Sequence, residues 1–295
     1  MGCRIREMDK ELKQKAENLV LNFRDEFLHG NIEELKDFSF WTIAGTEYDG
    51  TCTPRTLGKF DGDKTKIVYA IDYLLYADKI SKYVKEFSIL GYPREVAWEC
   101  NFSGDTINSF RTLLGNRFLL KNTEREVIEF FGFNSDLKQK INDFFYIYQR
   151  IGNFYLLPKL YHKSINQYRG TNKWKDYFDV FLQELNKYFR NEACIDEILS
   201  SYLESGINKE FFSNFKNNEA AFYELFFLQE YKNLSYPHPN QNWLCGWKGY
   251  SEKFVSKEEY IQFVSDYIDK ATKLINERSV QIVEALEKKL LKKKD

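Results

Sequence analysis

Few residues of this sequence could do chemistry, and Arg169 stands out among them. It follows a strand-like stretch and precedes Gly170, just ahead of a helix that starts at about Thr171. An arginine beside the free backbone N–H groups of a helix N-terminus can hold an anion, because guanidinium and N–H donors converge on the same oxygens. Pairing with a nearby carboxylate to pin the loop is the structural reading of the same residue. Asp105, in Gly104-Asp105-Thr106-Ile107-Asn108, suits an N-cap whose carboxylate accepts a backbone N–H from Ile107 or Asn108. The other reading of Asp105 is a carboxylate at the mouth of a pocket, for metal or proton transfer.

Two more charges stand where helical spacing calls for apolar residues. Arg278 lies between Ile275 and Ile282, and Glu224 between Ala221 and Leu228. An unpaired buried charge costs several kcal/mol or shifts its pKa, so each needs a partner. The partners open to them are each other, Arg169 and Asp105. Gln229 and Glu230 follow Glu224 on the same segment. Together Asp105, Asn108, Arg169, Glu224, Gln229, Glu230 and Arg278 form the candidate ligand-binding set. These residues specify no catalytic role, no metal ligands and no cofactor.

Several chemistries lack their motifs. The Gly-rich phosphate loop ending in Gly-Lys-Ser/Thr, the dinucleotide-binding glycine fingerprint, the paired-histidine zinc motif and the nucleophile-elbow serine are missing from the sequence. The histidines His29, His162 and His238 are isolated. The five cysteines are widely spaced and odd in number, which suits reduced thiols rather than a disulfide framework or a zinc site. With 43 basic and 44 acidic residues the net charge is −1, which argues against a nucleic-acid surface. Only Lys288, Lys289, Lys292, Lys293 and Lys294 form a basic run, as suits a solvated helix end. The abundant Phe and Tyr read as a codon bias rather than as stacking platforms. No apolar run approaches the ~18 residues of a membrane span, and Met1 to Glu11 is polar. The expected compartment is the cytoplasm.

The elements that must position these residues follow from periodicity. Leu12, Ala16, Leu19, Val20, Phe23 and Phe27 predict a helix over 9–28, stopped by Gly30. Residues 38–45 read as a strand opening a Gly- and Pro-rich excursion. Helix returns over 64–90, with Asp78 on its apolar stripe marking either a break or an inward carboxylate, a break being preferred. Helices are expected at 105–114, 123–131, 135–150 and 174–189, with a short strand in 152–158 partnered by 164–168. The segment 220–231 is apolar nearly all round and should be the most buried helix. A last helix opens at Ser256, with Glu259 completing a capping box, and docks through Val264, Ile268, Ala271, Ile275 and Ile282. The fold class is mainly α: a single helical domain over 1–295 with a small β element from the 38–45 and 154–168 regions.

Several stretches resemble a bacterial protein family whose domain is of unknown function. They are Gly104 to Phe110, Ile151-Gly152-Asn153-Phe154 through Pro158, and Ile165 to Gly170. Asp176-Tyr177-Phe178-Asp179, Phe226 to Glu230 and Ile275-Asn276-Glu277-Arg278 complete the set. The resemblance covers roughly residues 100 to 285, leaves the first hundred residues outside, and implies no activity. Three readings follow. The leading one is a helical binding protein of a bacterial or phage cytoplasm, taking a small anionic ligand or a protein partner. The second is an enzyme acting on nucleotides or nucleic acid in a stress or phage-defence setting, with Asp105, Glu224 or Glu230 as metal ligands or acid/base groups and Arg169 on phosphate. The third is a homo-oligomer packed through aromatic surface such as Trp243, Trp247 and Tyr250.

Overall fold

Helical periodicity governs the chain, and its structure is mainly α. The computed structural model describes residues 2–44, 46, 48, 62, 65–80, 100–101, 135–155, 178–192, 197–204, 206–232 and 257–291. In chain order the helices are α1 (Gly2–Phe27), α2 (Lys66–Ile80), α3 (Ser135–Ile147), α4 (Phe178–Phe189), α5 (Glu197–Leu203), α6 (Gly206–Ser213), α7 (Glu219–Leu225) and α8 (Lys257–Leu291). Two short strands, β1 (Cys100–Asn101) and β2 (Phe154–Tyr155), pair antiparallel, with Cys100 opposite Tyr155 and Asn101 opposite Phe154.

The long helix α8 is the post on which the other elements are hung. It packs against α2, α3, the 3₁₀ turn Ile32–Lys36 and the 3₁₀ turn Ile151–Asn153. Its inner stripe is the one its spacing predicts: Ile268, Ala271, Ile275, Ile282 and Leu286 are all buried. α1 lies along α2 and buries Ala16, Val20 and Phe23. It stops at the expected point, where His29 and Gly30 turn into the left-handed region. Thr65 opens α2: its hydroxyl accepts the N–H of Val68 and donates to the carbonyl of Gly62.

Two local expectations need correction. Residues 38–44 are not a strand, because Phe40–Ile43 is a 3₁₀ turn, and Gly45 lies outside the described residues. Phe40, Trp41 and Ile43 are all buried, and only Thr42 faces out, so the two-residue alternation of a half-buried strand is missing. The N–H of Thr42 bonds back to Ser39 and that of Ala44 to Trp41. The strand expected near 154 is present as β2 and pairs with β1, while the expected partner 164–168 lies outside the described residues.

The second correction concerns 220–231. Phe222, Phe226 and Leu228 are buried as expected, at 0%, 1% and 1% exposure, but the segment is not one helix. α7 ends at Leu225, and Gln229–Tyr231 forms a separate 3₁₀ turn. Between them Phe227 adopts φ 57. The N–H of Leu228 reaches the carbonyl of Tyr223, and that of Phe227 the carbonyl of Glu224. That is the Schellman pattern, with a phenylalanine where glycine is usual. α2 runs unbroken through Asp78 to Ile80, beyond which the chain lies outside the described residues, and the Asp78 carboxylate faces out, bonded by Lys289 at 2.8 Å.

Candidate functional site

Arg278 occupies the inner stripe of α8, where its spacing places it, and is 1% exposed. The partner expected from sequence was a carboxylate, with Glu224 foremost. For Glu224 the structure corrects this, and Asp105 lies outside the described residues. Arg278 Nε donates to the carbonyl of Phe226 at 3.0 Å, and Nη1 donates to the carbonyls of Gly152 at 2.9 Å and Phe154 at 2.6 Å. The guanidinium lies 3.9 Å from the centroid of the Tyr155 ring, in cation–π contact. Among the described residues no ion pair involves it. Neutral carbonyls and an aromatic face do what a carboxylate was expected to do, because the charge sits at the C-terminal end of α7, where unsatisfied carbonyls carry negative potential.

The elements around Arg278 are forced close. Gly152 lies so near α8 that a Cβ there would strike the carbonyl oxygen of Ile275 and come within 2.5 Å of Ser279 Oγ. The Gly152 N–H donates to that same Ser279 hydroxyl at 3.0 Å. Opposite, α2 presents Asp72 and Tyr76, one turn apart. The Tyr76 hydroxyl is buried beside the guanidinium without a hydrogen bond of sound geometry. Burial pushes its pKa up, and the Arg278 charge opposes that rise. Burial likewise lifts the carboxyl of Asp72 to about 8, with Arg278 again opposing. Asp72 itself keeps some contact with solvent. Tyr231, also buried, has its hydroxyl raised for the same first reason. This is a scaffold: one cation ties α8, α7 and the 151–155 segment together.

A second feature is open to ligands. Residues of α2, of α6 and the turn after it, and of α7 border an open cleft of about 380 Å³ lined by Lys79, Phe211, Asn214, Phe215, Ala221, Glu224 and Leu225. Its floor is apolar. Phe211 and Phe215 are buried in the aromatic cluster that also holds Phe222 and Phe226. Asn214 is fixed at the end of α6 by donating to the carbonyls of Glu210 and Phe211, at 2.7 and 2.8 Å. Lys79 and Glu224 are exposed, and neither forms an ion pair among the described residues. Their neighbours are already committed. Asp78 is held by Lys289, and Glu219 is held by Arg190 at 2.8 Å and by Lys232 at 3.4 Å. Both carboxylates are pulled down in pKa by those hydrogen bonds.

The candidate residues therefore separate. Glu224 lines the cleft. Gln229 and Glu230 are exposed on the 3₁₀ turn after α7, and Arg278 is buried in the scaffold. Glu224 was expected on an inward stripe; it faces out because that stripe assumed a helix continuing to Leu228. Asp105, Asn108 and Arg169 lie outside the described residues, as do Asp176, His162, His238 and the aromatic loop with Trp243, Trp247 and Tyr250. Among the described residues no group of three or more His, Cys, Asp or Glu is placed to hold a metal ion, and no helix is long and apolar enough to cross a membrane.

Sequence reasoning missed Asp72, Tyr76 and Lys79. For Asp72 the signal was present, since Val68 and Tyr76 lie four residues to either side and Leu75 three beyond, all buried. Lys79 gave none, being one exposed lysine among many.

A family model describing a family of unknown function, DUF6994, matches residues 104–282. The chain belongs to this family. The matched stretch holds Gly152, Phe154, Tyr155, Phe226 and Arg278, hence the cation and its carbonyl acceptors, whereas Asp72, Tyr76 and Lys79 precede it. No curated protein and no solved structure matches the chain significantly.

Proposed function

We propose that this chain is a helical binding protein of a bacterial cytoplasm, and that it takes a small anionic ligand in the cleft between α2, α6 and α7. One observation carries the reading: Lys79, which forms no ion pair among the described residues, lines a cleft with an aromatic floor. Ligand pockets combine an apolar lining with a few polar groups that fix orientation, and about 380 Å³ falls at the lower end of their usual size. The ligand of this reading has an apolar body for Phe211, Phe215 and Leu225 and an anionic group for Lys79. Arg278 contributes by holding the end of α7, and with it one wall of the cleft. The test is an NMR titration of the protein with phenylpropionate. Shifts centred on Phe211, Phe215, Ala221 and Leu225, weakened in Lys79→Gln, support the reading; no saturable shift at these residues refutes it.

A further inference from the structure

We infer that the ligand of this cleft is a zwitterion with an aromatic or large aliphatic body, of the free amino-acid type, held at its anionic end by Lys79 and at its ammonium end by Glu224. The inference rests on the cleft reading and names the substrate class of that same site.

The cleft carries two opposite charges that do not pair with each other. Lys79 lies on α2 and Glu224 on the last turn of α7, so the two charges are carried by separate helices. A simple anion would leave Glu224 facing it as an unmatched like charge. A simple cation would do the same with Lys79. A molecule bearing both charges close together satisfies both walls, while Phe211, Phe215, Ala221 and Leu225 take its apolar part. The surrounding ion pairs sharpen the point. Arg190 grips Glu219 with both Nε and Nη2, at 2.8 and 2.9 Å, five residues before Glu224 on the same segment. Lys289 takes Asp78, the residue beside Lys79. Among the described residues these neighbours are paired and the two charges lining the cleft are not.

Size agrees with this class. A cleft of about 380 Å³ admits one amino-acid-sized molecule and no dinucleotide or large cofactor. Both charges are solvent-facing, so each contributes little on its own, and selectivity comes from requiring the two together.

The experiment compares phenylalanine, phenylpropionate and phenethylamine on the full chain by NMR titration, in wild type, Glu224→Gln and Lys79→Gln. Both substitutions are at exposed positions, so folded variants are expected and their spectra verify it. Phenylalanine should bind about threefold or more tightly than either single-charge analogue, the size of one or two exposed charge contacts. Glu224→Gln should erase its advantage over phenylpropionate. Lys79→Gln should weaken phenylalanine and phenylpropionate alike. If phenylpropionate binds as tightly as phenylalanine and Glu224→Gln changes nothing, the zwitterion inference is overturned while the anion-binding reading stands. If none of the three binds at the cleft, or phenethylamine binds best, both fail.

Discussion

Arg278 Nε donates to the carbonyl of Phe226 at 3.0 Å, across 52 residues of sequence, and that carbonyl ends a helix. The two facts have one cause. The Schellman turn at Phe227 redirects the chain, leaves the Phe226 carbonyl without a helical donor, and aims it at the only type of side chain that offers several N–H groups in a fixed fork. The same fork holds Gly152 and Phe154, so the strand pair β1–β2 and α7 are registered on α8 by one residue.

Arg278→Met should therefore cost at least about 3 kcal/mol, since three buried carbonyls lose their donor at roughly 1–3 kcal/mol each. The sequence alone predicted destabilisation too, but through an orphaned acid. The distinction is measurable. In a double variant with Glu224→Gln, the penalty should be unchanged, whereas relief by the second change would restore the carboxylate account. Urea denaturation midpoints suffice.

Gly152→Ala should destabilise by about 1–3 kcal/mol or more, because the added Cβ collides with the backbone of α8 and not with a flexible side-chain end. Ser279→Ala, which removes the acceptor of the Gly152 N–H, should cost less than Gly152→Ala. Equal thermal midpoints for wild type and Gly152→Ala would contradict the close approach.

What the sequence disclosed and what it hid divide along physical lines. Long helices were legible: the stripes of α1 and α8 follow from 3.6-residue periodicity, and Arg278 was placed on the buried face of α8 correctly. The partner of Arg278 was not legible, because backbone carbonyls leave no mark on residue type. The break after Leu225 was hidden for a related reason. A Schellman turn is usually announced by glycine, and here Phe227 occupies the left-handed position. Phe40–Ile43 misled through composition, aromatic and β-branched yet bonded as a turn. Glu224 was wrongly turned inward, and Lys79 drew notice only when α2 was set beside α6 and α7.

Asp72 gives a pH dependence whose sign is fixed. Its folded pKa is raised to about 8, above the ordinary carboxylate value, so the folded state holds a proton that the unfolded chain releases. The stabilisation this brings is fully present below the unfolded pKa, declines from about pH 4 upward, and is gone above about pH 8. Asp72→Asn should remove that decline, so the variant gains on wild type as pH rises and differs least at pH 4. Unfolding free energies across pH 4–9 test this; parallel curves for the two proteins would exclude Asp72 as the group responsible.

Phe227 separates the observed turn from a continuous helix by the order of two substitutions. In a helix interior alanine outranks glycine by roughly 1 kcal/mol, because glycine loses more backbone entropy. At φ 57 the order reverses, since a Cβ in the left-handed region costs roughly 1–2 kcal/mol and glycine escapes that cost. Both substitutions remove the same half-buried ring, which lies 6.3 Å from Tyr76 centroid to centroid, so lost packing cancels in the comparison. Phe227→Gly should thus be the more stable of the two by about 1 kcal/mol, and both should fall below wild type through the missing ring. The turn also sets the Phe226 carbonyl toward Arg278. Phe227→Gly should therefore retain the Arg278 latch, and Arg278→Met should cost it as much as it costs wild type. If Phe227→Ala proves the more stable, residues 219–231 form a continuous helix and the Schellman turn is absent in solution.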